Sequence, residues 1–235
     1  MNLLLLSNSR LPGMDYLEHA RSEMGNFLGS GVKEVLFVPF AGVTITWDHY
    51  AAKTRAAFEA MGYRLTSIHE AADPVVAVNA AEAIAVGGGN TFHLVYQLYL
   101  HGVMGPIRER VRGGLPYLGW SAGSNVACPT LRTTNDMPIV EPPDFRALDL
   151  LPFQINPHYL DAHPDGHMGE TREDRIREFI TVNKEMYVAG LREGSILRLD
   201  ERGLRLIGEK PMRVFRYGEE PREYPPGASL DFLLN

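Results

Sequence analysis

The pentapeptide Gly119-Trp120-Ser121-Ala122-Gly123 constrains this chain more than any other stretch. The apolar run Leu115 to Trp120 leads into it and reads as a buried strand, and the small residues behind it, through Ser124 and Asn125, can open a helix. The spelling is G-x-S-x-G. In that pattern a serine on a sharp, strained turn presents its hydroxyl at the strand end, and the flanking glycines are needed because Cβ atoms there would meet the crossing backbone. The amide of Ala122 then points towards a bound carbonyl and can form part of an oxyanion hole. A tight strand-to-helix turn without chemistry can carry the same letters, so the rest of the chain has to decide.

The order of elements places this turn in an α/β sheet. Asn2 to Leu6 reads as a buried parallel strand ended by Ser7-Asn8-Ser9, followed by a helix from about Met14 to Phe27. Val32 to Phe40 is a second strand. Thr46 caps a helix over Trp47 to Met61, with Asp48 in its first turn and Gly62 beyond its end. Tyr63 to His69 alternates as a third strand, Asp73 caps a helix opened by Pro74, and Ala83 to Val86 is a fourth strand. A helix then runs to about His101, and another opens at Pro106 and ends at Gly113-Gly114. Repeated βα units imply a mostly parallel sheet with helices on both faces, and function in such sheets sits at the carboxyl ends of the strands.

Gly87-Gly88-Gly89-Asn90-Thr91 lies at one of those ends, between strand and helix. Bare amides near a helix N-terminus suit an anion or an oxyanion, so Gly89 is a candidate second oxyanion donor beside Ala122. Phe92 occupies the last glycine position of a dinucleotide fingerprint, and no Lys-Ser/Thr follows, so neither a Rossmann nucleotide site nor a P-loop is read here.

Composition narrows the setting. The 235 residues carry a formal charge of -6, which argues against a nucleic-acid or anionic-membrane partner. One cysteine, Cys128, forbids an internal disulfide and reads as a small buried residue. Met1 to Leu6 lacks a basic flank and is too short for a signal peptide, and no apolar run reaches a membrane-spanning length. The expected location is cytoplasmic.

Beyond the elbow, Arg132 to Pro143 is polar and aperiodic, as in a lid or binding loop. Leu150 to Asn156 is a further strand with Pro157-His158 at its end, where His158 is placed to serve as a base for Ser121. His163 and His167, interleaved with Asp161 and Asp165, raise a metal alternative. Their spacing fits no compact zinc motif, and Pro164 and Gly166 forbid a regular helix, so no metal site is assigned. Thr171 to Val182 reads as a helix carrying Arg172 and Arg175 on one face. Met186 to Leu191 is a strand followed by Arg192-Glu193-Gly194. Ser195 to Asp200, Leu204 to Ile207 and Arg213 to Tyr217 read as a small antiparallel addition at the sheet edge, and the tail beyond them as irregular. With no linker and no repeat, residues 1–235 read as a single catalytic domain.

Taken together, these segments resemble the peptidase E family of aspartyl dipeptidases, which are serine peptidases. The resemblance is carried by Leu3-Leu4-Leu5-Leu6-Ser7-Asn8-Ser9, Val38-Pro39-Phe40-Ala41-Gly42-Val43, Gly87-Gly88-Gly89-Asn90-Thr91-Phe92 and the elbow itself. It continues through Arg132-Thr133-Thr134-Asn135-Asp136-Met137-Pro138, Gln154-Ile155-Asn156-Pro157-His158 and Gly169-Glu170-Thr171-Arg172, and weakens beyond about Gly208. It implies a fold related to class I glutamine amidotransferases, no cofactor, and cleavage of dipeptides that begin with aspartate. A glutamine amidotransferase itself is disfavoured because a serine stands where that chemistry uses cysteine. Ser121 matches the family nucleophile and His158 its base. Asp136 and Glu193 both fall where the third triad member could lie. Asp136 is preferred, because its segment matches the family closely, and Glu193 is its rival. The substrate's side-chain carboxylate needs a cation, for which Arg172 comes first and Arg132 second. A homodimer is compatible with the sequence. The competing readings are a peptidase acting on an aspartate-rich polymer and a non-catalytic binding module on the same fold.

Overall fold

The computed structural model describes residues 1–161 and 169–235. Its centre is a seven-stranded sheet in the order β3-β2-β4-β5-β1-β8-β9. The first five, β1 (Leu3–Leu6), β2 (Glu34–Val38), β3 (Arg64–Ser67), β4 (Ile84–Val86) and β5 (Tyr117–Trp120), are parallel to their neighbours. β8 (Ile196–Asp200) and β9 (Gly203–Ile207) extend the β1 edge in antiparallel fashion.

Period-two alternation sorts each central strand between two cores. Leu3, Leu5, Leu36, Val38, Ile84 and Val86 face one core. That core is completed by α3 (Pro74–Ala80), α4 (Thr91–Leu100) and α5 (Met104–Arg112). Leu4, Leu6, Val35, Phe37, Leu118 and Trp120 face the other, closed by α1 (Arg21–Leu28) and α2 (Trp47–Glu59). Apolar runs without polar interruption were therefore the correct signature of strands covered on both sides. The expected caps are in place: Thr46 accepts from the His49 amide, and Asp73 accepts from the Val75 and Val76 amides. The helix expected over Met14 to Phe27 starts later, at Arg21, after a single 3₁₀ turn over Glu18–Ala20.

The C-terminal third departs from the expected edge addition. Only β8 and β9 join the main sheet. β6 (Gln154–Pro157), β7 (Val188–Leu191), β10 (Met212–Phe215) and β11 (Arg222–Tyr224) form a second sheet in the order β11-β10-β7-β6. β6 and β7 run parallel, and β10 and β11 add antiparallel strands. One face of this sheet, through Ile155, Ala189, Leu191, Met212 and Val214, completes the first core. α7 (Arg172–Val182) covers the other face with Ile176 and Ile180 against Val188 and Phe215. Alternation reveals a strand but not its partner: β10 pairs with β7 and not with the main sheet. β11, short and exposed, is a strand where the sequence predicts irregular tail.

At the elbow, α6 (Ala122–Asn125) begins as soon as β5 ends. A Cβ on Gly119 would overlap the Gly123 carbonyl, and one on Gly123 would overlap the Val86 carbonyl of β4. Backbone packs on backbone here, with no room for a methyl group. Gly123→Ala is therefore expected to destabilise the fold by about 1–3 kcal/mol. Gly25→Ala, in the interior of α1 where a Cβ meets nothing within 4 Å, should leave the melting temperature unchanged or raise it. Thermal unfolding of the two variants checks the contrast.

Candidate active site

Four strand ends of the main sheet converge on one cavity of about 590 Å³. Ser9 follows β1, Ala41 to Ile45 follow β2, Gly88 to Asn90 follow β4, and Ser121 follows β5. His158, beyond β6 of the second sheet, completes the wall. Ser121 has φ 54° and ψ -112°, a sparsely populated conformation that turns its side chain out of the strand. The Ser124 hydroxyl, which shares its one proton between the Leu6 carbonyl (2.7 Å) and the Gly119 carbonyl (2.9 Å), holds the turn against β1.

His158 Nε2 lies 2.9 Å from Ser121 Oγ, and His158 Nδ1 lies 2.7 Å from Glu193 Oε1. His158 also has a positive φ of 54°. Both its side chain and that of Glu193 are about two-fifths exposed, so their pairing orients the imidazole more than it stabilises the fold. β6 and β7 lie side by side with Pro157 opposite Leu191. The residues just past each strand are therefore brought together, which explains how His158 and Glu193 meet across a gap of 35 positions.

Asp136 does not reach His158. Its carboxylate accepts from the Thr91 amide (2.7 Å), the Thr91 hydroxyl (2.6 Å) and the Thr134 hydroxyl (3.0 Å). It sits on the amino end of α4, where amides and helix dipole favour a negative charge. The preference for Asp136 at the imidazole is corrected accordingly: the carboxylate on His158 belongs to Glu193. Asp136 instead ties the loop after the elbow to the glycine turn, helped by the Asn90 side chain, which donates to the Met137 carbonyl (2.9 Å).

A Cβ on Gly89 would overlap the Ala41 carbonyl, and its φ of +140° suits only glycine. The turn is braced by Tyr50, whose hydroxyl donates to the Gly88 carbonyl (3.0 Å) and accepts from Trp120 Nε1 (3.1 Å). Among the described residues, neither the Gly89 nor the Ala122 amide donates to a protein acceptor.

Several contributors were not singled out from sequence. Ser7, fully buried at the end of β1, donates its hydroxyl to the Leu191 carbonyl (2.7 Å) and accepts from the His158 amide (2.9 Å). Asn8 accepts from the Gly194 amide (2.8 Å). Arg192, beside Glu193, is paired with Asp161 and Glu223, which fixes that loop to β11; Arg192 in turn holds the Asp161 carboxyl below its usual range. The signal that could have found Ser7 and Asn8 was the polar triplet ending an otherwise apolar strand.

The two candidate substrate cations lie outside the wall of this cavity. Arg172 Nη1 donates to Asn135 Oδ1 (2.6 Å), and Asn135 Nδ2 donates to the Pro157 carbonyl (2.7 Å), one residue from His158. Burial, then the nearby charge of Arg175, lowers the Arg172 pKa, against a smaller opposing pull from Asp136. Arg132 stacks over Phe179, its guanidinium 5.4 Å from the ring centroid. Both arginines line a smaller neighbouring cavity of about 50 Å³. Cys128 is buried, and desolvation pushes its thiol up to about 12, so it is inert at neutral pH. Of the candidate metal cluster, Asp161 is engaged by Arg192, and His163, Asp165 and His167 lie outside the described residues.

Residues 3–207 match peptidase family S51. The chain belongs to this family. A peptidase E from Nostoc sp. is 52% identical over 232 residues, covering 99% of this chain and 96% of that protein. A peptidase E from Salmonella newport is 52% identical over 220 residues, covering 94% and 96%. The crystal structure of a peptidase from an acI-B1 Actinobacterium superposes with a TM-score of 0.72 at 16% identity, covering 97% of this chain and 96% of that one. A structure from Listeria monocytogenes EGD-e gives 0.64 at 22% identity, covering 88% and 98%. The fold is thus that of known peptidases, and the family is one of serine peptidases. Among the described residues, no helix is long and apolar enough to cross a membrane.

The three hydrogen bonds on Asp136 give it a testable structural role. All three bonds end on Oδ2, where Asp136→Asn can still place its amide oxygen, so the variant loses the negative charge at the amino end of α4 rather than the acceptor, at an expected cost of about 1–2 kcal/mol. Faster hydrogen exchange confined to residues 132–143 and the first turn of α4 is the expected readout.

Proposed function

We propose that this protein is a serine dipeptidase that hydrolyses Asp-X through Ser121, His158 and Glu193. The observation that carries the reading is the unbroken hydrogen-bonded line from Glu193 through His158 to Ser121, with Ser121, His158 and Gly89 lining one cavity. The family membership supports the class of reaction.

In the proposed cycle Glu193 accepts a hydrogen bond from Nδ1–H of His158, fixing the tautomer that leaves Nε2 free to take the proton from Ser121. Ser121 Oγ attacks the aspartyl carbonyl, and the developing oxyanion is met by the Gly89 and Ala122 amides. His158 then delivers its proton to the departing amine. Water then enters, gives a proton to His158 and attacks the acyl carbon; as the ester bond breaks His158 returns that proton to Ser121 Oγ, and aspartate leaves.

Specificity for aspartate follows from the cost of burying a carboxylate without a cation. Arg172 is the proposed source of that charge. It is hydrogen-bonded to Asn135, which in turn donates to the Pro157 carbonyl next to His158, so one side chain separates the guanidinium from the end of β6.

Steady-state kinetics on an Asp-X dipeptide test the chemistry. Ser121→Ala should abolish turnover with the fold intact, as checked by circular dichroism. Glu193→Gln should lower kcat by about 10⁴-fold, far more than Asp136→Asn. Full activity in Ser121→Ala, or the reverse order for the two carboxylates, would overturn the assignment. Binding of Asp-X without turnover in the wild type would turn the protein into a binding module.

The same assay tests specificity. Arg172→Met should lower kcat/KM for Asp-X by about tenfold or more and narrow the gap between Asp-X and Asn-X. An unchanged ratio would remove Arg172 from substrate recognition.

A further inference from the structure

The wall of the Ser121 cavity carries a cation that the scheme above leaves idle. Lys53, on α2, lines that cavity together with Tyr16, Ser9 and His158. Its Nζ lies 4.1 Å from the centroid of the Tyr16 ring, so the apolar stem and the ring position the ammonium. Among the described residues, no carboxylate lies within ion-pair distance of it. A second cation, Arg10, acts on it; burial first, and then Arg10, hold the ammonium below its usual range. Lys53 lines the cavity and Arg10 lies close enough to act on it, in a chain that is acidic overall, with 29 acidic against 23 basic residues. An unbalanced positive rim in a concave wall concentrates anions.

The position of this rim selects which anion. Arg10 lies three residues beyond Ser7, whose hydroxyl receives the His158 amide. The segment after β1 thus passes His158 at Ser7 and the cavity wall at Ser9 before it reaches Arg10, while Lys53 of α2 lines the same wall as His158. In the proposed cycle His158 hands its proton to the departing amine, so the leaving residue lies on that flank. A dipeptide ends there, and its terminal carboxylate lies only two bonds beyond the leaving nitrogen. A longer peptide presents a neutral amide at that point and further chain behind it.

We propose that Lys53, with Arg10 beside it, binds the C-terminal carboxylate of the leaving residue and so restricts the substrate to dipeptides. The inference rests on the Asp-X reading above. It assigns the two carboxylates of such a substrate to different cations: the side-chain group to Arg172 and the terminal group to Lys53. The flexible lysine stem, anchored on Tyr16, lets one point charge serve leaving residues of different shape.

The test compares three substrates, Asp-Leu, its C-terminal amide Asp-Leu-NH₂, and Asn-Leu, with wild type, Lys53→Met and Lys53→Arg. Methionine keeps the stem on Tyr16 and removes the charge. Wild type should prefer the acid to the amide by about tenfold or more in kcat/KM. Lys53→Met should raise KM for Asp-Leu and bring the acid-to-amide ratio close to one, with the Asp-to-Asn preference retained. Lys53→Arg should keep most of the acid preference. An acid-to-amide ratio unchanged in Lys53→Met, or absent in wild type, overturns the inference. Collapse of the Asp-to-Asn ratio instead would assign Lys53 to the side-chain carboxylate and overturn it as well. Should Lys53→Met not fold, as judged by circular dichroism, Lys53→Gln takes its place. A wild type that does not cleave Asp-Leu sinks the functional reading and this one together. A wild type that cleaves it, with the ratio indifferent to Lys53, removes only the anchor.

Discussion

The buried hydroxyl of Ser7 joins two sheets at the point where the site is assembled. Ser121 belongs to the seven-stranded sheet, whereas His158 and Glu193 follow strands of the smaller one. Nothing in either sheet alone fixes the distance between them. Ser7 sits at the end of β1, beside the elbow strand, and bonds both to the Leu191 carbonyl and to the His158 amide. Asn8 adds the Gly194 amide, and the Ser7 amide donates to the Ser195 carbonyl at 3.0 Å. One short polar segment thus sets the registration of imidazole, carboxylate and serine. Hydrogen bonds between buried groups suit this role because leaving either partner unsatisfied is costly.

The remaining walls of the cavity have a different origin. The glycine turn after β4 and the glycines of the elbow let backbone approach backbone, with the Ala41 carbonyl filling the place a Gly89 side chain would need. Large aromatic residues then lock what the glycines allow: Tyr50 bonds both the turn and Trp120, and Phe37 stacks against Trp120 with ring centroids 5.8 Å apart. Close packing fixes the directions in which the amides of the turn point. Preorganisation of this kind is what electrostatic stabilisation of an oxyanion requires.

Much of this was legible in the amino-acid sequence, because it depended on local chemistry. Leu3 to Leu6 could only be a buried strand, Thr46 and Asp73 could only be caps, and a serine between Gly119 and Gly123 declared the elbow. What was not legible was pairing across the fold. β10 alternates as an edge strand should, yet it pairs with β7. Asp136 drew attention by lying soon after the elbow in a well-matched segment, whereas the carboxylate beside His158 comes from a strand end 35 residues later. That neighbour is dictated by the parallel pairing of β6 with β7, which no spacing along the chain records. The threonine at the start of α4 was the overlooked clue: a carboxylate with an open helix terminus and two hydroxyls to receive it has little reason to go elsewhere.

The backbone conformations of Ser121 and His158 carry a thermodynamic consequence. Both are non-glycine residues at φ 54°, a region that disfavours a side chain by roughly 1–3 kcal/mol per residue. The fold therefore gives up stability at the two positions where chemistry is proposed, and the packing of the sheets and their covering helices sustains the deficit. Sequence drift that relaxed the need for activity would be drawn towards glycine at both sites, gaining robustness as it lost function. Relatives of this fold that have glycine at either position would then be recognisable as scaffolds released from that demand.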